Sequence, residues 1–162
     1  SVETIGLCAF ANCSYLEQVT LPAGLKSIGG EAFYAAGLRS IVIPDKVETI
    51  GDYAFQHCIS STEITLGAGL RSIGEGAFAN CRKVTEITIP AGVTTIGNRA
   101  FTDCEALTSV TCLATDPPTL GATLNFRQNE ADVLYVPAGS VDAYKDVVEW
   151  NTAFDGNIVP IP

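Results

Sequence analysis

An Ile-Gly pair, with Ala-Phe beginning four residues after the isoleucine, recurs at Ile5, Ile28, Ile50, Ile73 and Ile96 of this 162-residue chain, at steps of 23, 22, 23 and 23. The phenylalanines follow in phase as Phe10, Phe33, Phe55, Phe78 and Phe101. A fixed period of roughly 20 to 50 residues marks a chain whose single repeat cannot bury its own apolar face, so the copies must stack on one another. The period sets a solenoid before any residue propensity is considered.

Within one repeat, Val19-Thr20-Leu21 alternates with the period of a half-buried strand, and Pro22 stops it. A second extended segment lies around Leu25 to Ile28. Stacking turns the first segment into a parallel sheet whose inward pairs are Val19/Leu21, Ile41/Ile43, Ile64/Leu66, Ile87/Ile89 and Val110/Cys112. Two outward columns follow by alternation: Gln18, Ser40, Glu63, Glu86 and Ser109, then Thr20, Val42, Thr65, Thr88 and Thr111. This face is expected to be flat, neutral to acidic and rich in threonine.

Cys13, Cys58, Cys81 and Cys104 each stand three residues after the repeat phenylalanine, which marks a column of small buried thiols. Cys8 falls outside that column and is expected to be exposed. The repeat glycines are read as turn residues. The third repeat departs most, with Ser61 where Leu16, Val84 and Leu107 stand and Gly67 in place of proline; Ile59 is expected to swing in and fill the gap.

The pattern changes at Leu113, which divides the chain into a solenoid over 1–112 and a cap over 113–162, with the phenylalanine column stopping. Leu134-Tyr135-Val136-Pro137-Ala138-Gly139 overlays Ile87-Thr88-Ile89-Pro90-Ala91-Gly92, so a further strand is predicted over 133–136. Ser140 then caps a helix over 141–150, and 157–161 reads as a terminal extended segment. The expected fold is α/β leaning to β: a right-handed solenoid of about five 22–23-residue repeats, with a parallel sheet on one side, short turns on the other and one helix in the cap. The chain contains no methionine, and Ser1 falls in mid-repeat, which reads as a processed chain or fragment. The first repeat has no lid, so a monomer or a weak dimer through that end is expected.

A net charge of −9 argues against nucleic-acid or anionic-membrane surfaces, which need clustered lysine and arginine. No apolar run approaches a membrane span, and no signal peptide is legible. His57, the one histidine, falls in a column with Asn12, Ala35, Asn80 and Asp103 and reads as a turn residue. Its neighbour Cys58 belongs to the buried column, which weakens a Cys-His dyad. Glu63 and Glu86 are one repeat apart, but a glycosidase pair also needs a cleft around the sugar, which a flat sheet lacks. Phosphate loops, HExxH, CxxC and GxSxG are absent, so neither catalytic residues, a metal site nor a cofactor is expected, and the chain does not read as an enzyme.

The pattern L-x-x-I-x-I-P-x-x-V-x-x-I-G-x-x-A-F-x-x-C, legible from Val84 through Ile89-Pro90, Val93, Ile96-Gly97, Ala100-Phe101 and Cys104, resembles the leucine-rich repeats of the BspA-like (Treponema-type) family. Leu134 to Gly139 with Tyr144, Trp150 and Phe154 resembles the C-terminal cap of such proteins from Bacteroidetes. The resemblance implies an extracellular or cell-surface module for protein–protein, host or bacterial adhesion. As a binding module the chain would take a protein or glycan ligand on the outward columns and, in addition, on Tyr15, Tyr34 and Tyr53. The alternative is a structural spacer or stalk in a larger surface protein.

Overall fold

The computed structural model of the chain describes residues 2–121, 125–126 and 132–162. Its strands are β1 (Thr4–Ile5), β2 (Ser27–Ile28), β3 (Ser40–Val42), β4 (Thr49–Ile50), β5 (Glu63–Thr65), β6 (Ser72–Ile73), β7 (Glu86–Ile89), β8 (Thr95–Ile96), β9 (Ser109–Cys112), β10 (Thr119–Leu120), β11 (Val133–Val136) and β12 (Ile158–Pro160). A single 3-10 turn at Ala138–Ser140 leads into α1 (Val141–Asp146) and α2 (Val148–Ala153).

Every pairing among the described strands is parallel and joins equivalent positions of successive repeats. On the back of the coil, β1-β2-β4-β6-β8-β10 form one sheet in which Ile5, Ile28, Ile50, Ile73, Ile96 and Leu120 lie side by side. The unbroken sheet is therefore the one built on the Ile-Gly segment. The front sheet, expected to be continuous, is in two pieces, β3-β5 and β12-β11-β9-β7. The segment Val19–Leu21 forms no strand, and this interruption coincides with the one-residue shortening of the second repeat between Ala36 and Leu38.

In-register stacking puts like on like, and the phenylalanines form a ladder with ring centroids 5.1 to 5.5 Å apart and planes within about 10°. The ladder does not stop at Phe101, as the sequence suggested. Phe126 stacks on it at 5.3 Å, and Trp150 and Phe154 close the column at 5.7 and 5.1 Å from Phe126. The Asn125 main-chain carbonyl accepts from the Phe101 N–H as the alanine of a regular repeat would, and its Oδ1 in addition accepts from the Ala100 N–H, whose counterparts bond to the glycine carbonyl of their own repeat. Leu120, Phe126 and β11 thus make a sixth repeat inside the segment assigned to the cap.

After Val136 the helices stand where a further back strand would run, and β12 resumes the front sheet beside β11. The helical segment expected over 141–150 is broken at Val147, which is extended, and ends at Ala153. Tyr144 donates its hydroxyl to the Ala114 carbonyl and Trp150 its indole N–H to the Pro118 carbonyl, both buried bonds that fasten the cap to the coil.

The turn segments carry two columns of left-handed backbone. Cys8, Glu31, Tyr53, Gly76 and Arg99 have φ of 52 to 57°, and Asn12, Ala35, His57, Asn80 and Asp103 have φ of 52 to 62°. Asparagine, aspartate and histidine tolerate this region better than most residues, which accounts for the second column's composition.

The repeat glycine itself is not left-handed, contrary to its reading as a turn residue. A Cβ on Gly51, Gly74 or Gly97 would lie 2.4 to 2.6 Å from the main chain of the preceding repeat, inside any allowed contact. Gly6, in the first repeat, would meet nothing within 4 Å. The glycine column exists so that the back strands can close on one another.

Two substitution pairs test this packing. Phe78→Ala, at a fully buried ring, should cost about 3 to 5 kcal/mol in urea unfolding, whereas Phe10→Ala, at a ring 38% exposed, should cost well under half of that. Gly74→Ala should destabilise by about 1 to 3 kcal/mol and Gly6→Ala by less than about 0.5, although both change the same motif position.

Candidate ligand-contact face

The outward columns lie where alternation places them. Gln18, Thr20, Ser40, Val42, Glu63, Thr65, Glu86 and Thr88 are exposed, and Ser109 and Thr111 are half-buried. Inward, Ile41, Ile43, Ile64, Ile87, Ile89, Val110 and Cys112 are buried. Beneath the third repeat, Ser61 is fully buried and donates its hydroxyl to the Leu38 carbonyl at 2.6 Å. Ile59, expected to fill that place, is instead 53% exposed, because the serine satisfies the position itself.

The face is not flat. No ladder joins β5 to β7, and the seam between the third and fourth repeats opens into a recess of about 560 Å³ lined by Thr62 to Leu66 and Thr85 to Thr88. Neighbouring seams hold the bonds Thr62 N–H to Arg39 carbonyl and Thr108 N–H to Thr85 carbonyl, both 3.0 Å. The equivalent bond from the Thr85 N–H to the Thr62 carbonyl is missing. The back of the same seam stays closed, with β4 paired to β6 and Gly74 N–H bonded to the Ile50 carbonyl at 2.8 Å.

The cause lies in the third repeat's departures. Ser61 ties it to Leu38, Ala68 N–H donates to the Asp45 carboxylate at 3.0 Å, and Gly67 lets its backbone approach Pro44 so closely that a Cβ would lie 2.3 Å from the carbonyl oxygen. All three contacts draw the front of this repeat onto the second repeat and away from the fourth.

The recess brings Glu63 and Glu86 to one site. Thr65 Oγ1 lies 3.4 Å from Glu63 Oε1, and the Glu86 carboxylate has no hydrogen bond or ion pair among the described residues. Thr62 and Thr85, which the sequence reading left out, complete the lining; the anomalies at Ser61 and Gly67 were the signal for them. Several carboxylates elsewhere are engaged: Glu3 with Lys26 and Glu17 with Arg39 at 2.8 Å, Glu105 with Arg82 at 3.5 Å, and Glu75 with the Tyr53 hydroxyl. A second groove of about 600 Å³ runs along the back sheet past Thr49, Ser72, Thr95 and the glycine column, and there the Asp52 carboxylate already accepts the Glu75 N–H at 2.8 Å.

The remaining candidates serve the scaffold. His57 has left-handed backbone and its ring meets the edge of Tyr34 at 5.6 Å; Cys58 points away into the buried column. Tyr34 and Tyr53 sit on the turn segments, and Tyr15 stands almost free at 96% exposure. Cys58, Cys81 and Cys104 donate their thiols to the carbonyls of Phe33, Phe55 and Phe78 in the preceding repeats, at 3.3 to 3.5 Å. Burial pushes Cys58 and Cys104 up to about 12, and it raises Cys81 well above its ordinary value too. Cys13, assigned to this column, is exposed. Cys8 is exposed as expected.

The repeat pattern described as the BspA type Leucine rich repeat region matches residues 1–114 in six copies. Among solved structures, the chain is similar to a leucine-rich repeat protein from Bacteroides ovatus, with 27% identity and a TM-score of 0.64 over 87% of this chain and 48% of that one. It is similar to one from Bacteroides capillosus at 35% identity and a TM-score of 0.51, covering 59% and 72% of the two chains. The T. pallidum leucine-rich repeat protein TpLRR matches at 28% identity and a TM-score of 0.62, covering 78% and 57%. The chain thus spans about half the length of the B. ovatus structure. No curated protein matches it significantly.

Alkylation of the native protein with iodoacetamide at pH 8 should label Cys8 and Cys13, leaving the four buried thiols unmodified until denaturant is added, as read by mass spectrometry. Because burial holds Cys58 and Cys104 above the 9.0 of an unfolded thiol, their contribution to stability is complete below pH 9 and is lost as pH rises towards about 12. The decline in urea midpoint over that window should be shallower in Cys58→Ala/Cys104→Ala.

Proposed function

The chain belongs to the BspA-type leucine-rich repeat family, and we propose that it is a non-catalytic protein-interaction module that docks partners on its front sheet face. The observation that supports this reading is the state of that face. Eight of its ten outward side chains are exposed and almost all are unengaged, while the pairs Glu17–Arg39 and Arg82–Glu105 beside it are tied between repeats. Side chains held at fixed spacing by a rigid sheet lose little freedom on binding, which favours their use as a contact surface.

The family resemblance supports placing the module on an exported or cell-surface protein that adheres to host or bacterial partners. The parent's full partner set belongs to the same proposal. The same chain acting only as a spacer would leave the front face without a ligand, and a weak dimer through the first repeat would bury the end of the coil instead.

The test is binding of the purified chain to a panel of immobilised host matrix proteins and glycans, read by biolayer interferometry. Thr65→Lys/Thr88→Lys should lower saturable binding about ten-fold or more, and the back-face control Thr49→Lys/Ser72→Lys should leave it unchanged. Equal effects of the two variants, or an unresponsive panel, would count for the spacer reading.

A further inference from the structure

We infer that the open seam between β5 and β7 seats an arginine or lysine side chain projecting from an extended partner segment laid across the front face. The inference rests on the docking reading above and adds the partner's chemistry to it.

Charge complementarity is the first argument. Of the ten outward residues from Gln18 to Thr111, only Glu63 and Glu86 are charged, and both line the recess. No lysine or arginine lines it with them. Ionised carboxylates are acceptor-only groups, so a ligand must bring donors; guanidinium and ammonium groups bring donors and a positive charge together. The threonines at 62, 65, 85 and 88 add hydroxyl acceptors around the same space, and a chain of net charge −9 favours approach of a basic segment.

The shape of the seam narrows the choice further. A recess of about 560 Å³ holds a long side chain, yet β4 and β6 remain paired behind it, so the repeats cannot part far enough to admit a whole strand. Absence of the ladder also leaves main-chain groups of β5 and β7 facing the recess, where they can hydrogen-bond a donor that a closed sheet would refuse. A divalent cation fits less well: calcium takes about six to eight oxygen ligands, and no group of three or more metal-binding side chains occurs among the described residues.

Two other surfaces carry less. The groove along the back sheet presents carboxylates already bonded to Glu75 N–H and Tyr53. The apolar edge of the first repeat, with Leu7 and Phe10 exposed, has nothing beside it to identify what would cover it.

The experiment uses an eight-residue glycine-serine peptide with one central arginine, and the same peptide with citrulline, which keeps the shape and loses the charge. Titrated into isotopically labelled protein, the arginine peptide should produce saturable amide shifts confined to 62–66 and 85–88. Its affinity should exceed that of the citrulline peptide by about ten-fold or more, the margin of a charge-assisted bond. Glu63→Gln/Glu86→Gln should abolish this preference, whereas Glu31→Gln/Glu149→Gln, removing the same charge from exposed sites elsewhere, should preserve it. Equal affinity for both peptides, shifts spread over the acidic surface, or equal losses in the two double variants would each overturn the inference. If matrix binding falls with Thr65→Lys/Thr88→Lys but is indifferent to Glu63→Gln/Glu86→Gln, the docking reading stands and the basic side chain is refuted.

Discussion

Neighbouring backbones in a parallel sheet sit about 4.8 Å apart, and every column of this protein has to accept that spacing. Phenylalanine accepts it by offset stacking at 5.1 to 5.5 Å, and the buried cysteines by donating to a carbonyl one repeat back. Glycine accepts it by having no Cβ to collide, with the preceding backbone within 2.6 Å of where one would stand. Each consensus residue of the repeat is therefore an answer to one distance. In the first repeat the same columns are less packed: Phe10 and Cys13 are exposed, and a Cβ on Gly6 would meet nothing within 4 Å.

Against so uniform a frame, a functional feature has to be a local failure of the spacing. The third repeat provides one on the front side only. Its serine and its two close-approach glycines, Gly67 and Gly69, favour contact with the second repeat, so the compensating gap opens towards the fourth. The back ladder carries the continuity of the coil past the gap. Rigidity on one side and opening on the other is what lets a stacked scaffold present a recess without losing its register.

Much of this was legible in the sequence because a repeat reports its own periodicity. The steps between Ile5, Ile28, Ile50, Ile73 and Ile96 gave the stacking, and alternation gave most of the inward and outward columns, with Val19, Leu21 and Leu66 only half-buried. Strand 133–136 was legible because Leu134 to Gly139 repeats a known register. The continuation of the ladder was hidden, because Phe126 arrives without its Ile-Gly and Ala-Phe context, with Asn125 standing where the repeats place alanine. The role of the glycines was misread because close approach and a turn leave the same letter in a sequence. Ser61 and Gly67 were visible as departures, but their consequence depends on which neighbour each one favours, which no single repeat encodes.

The most direct test of a seam closed behind and open in front is amide hydrogen exchange of the native chain, compared position by position across successive repeats. The account predicts that the Thr85 amide exchanges at least about a hundred-fold faster than those of Thr62 and Thr108, its equivalents in bonded seams, while the Gly74 amide on the back of the same seam stays as protected as that of Gly97. Protection of Thr85 equal to that of Thr62 and Thr108 would mean that the front ladder is continuous, and the recess would not exist.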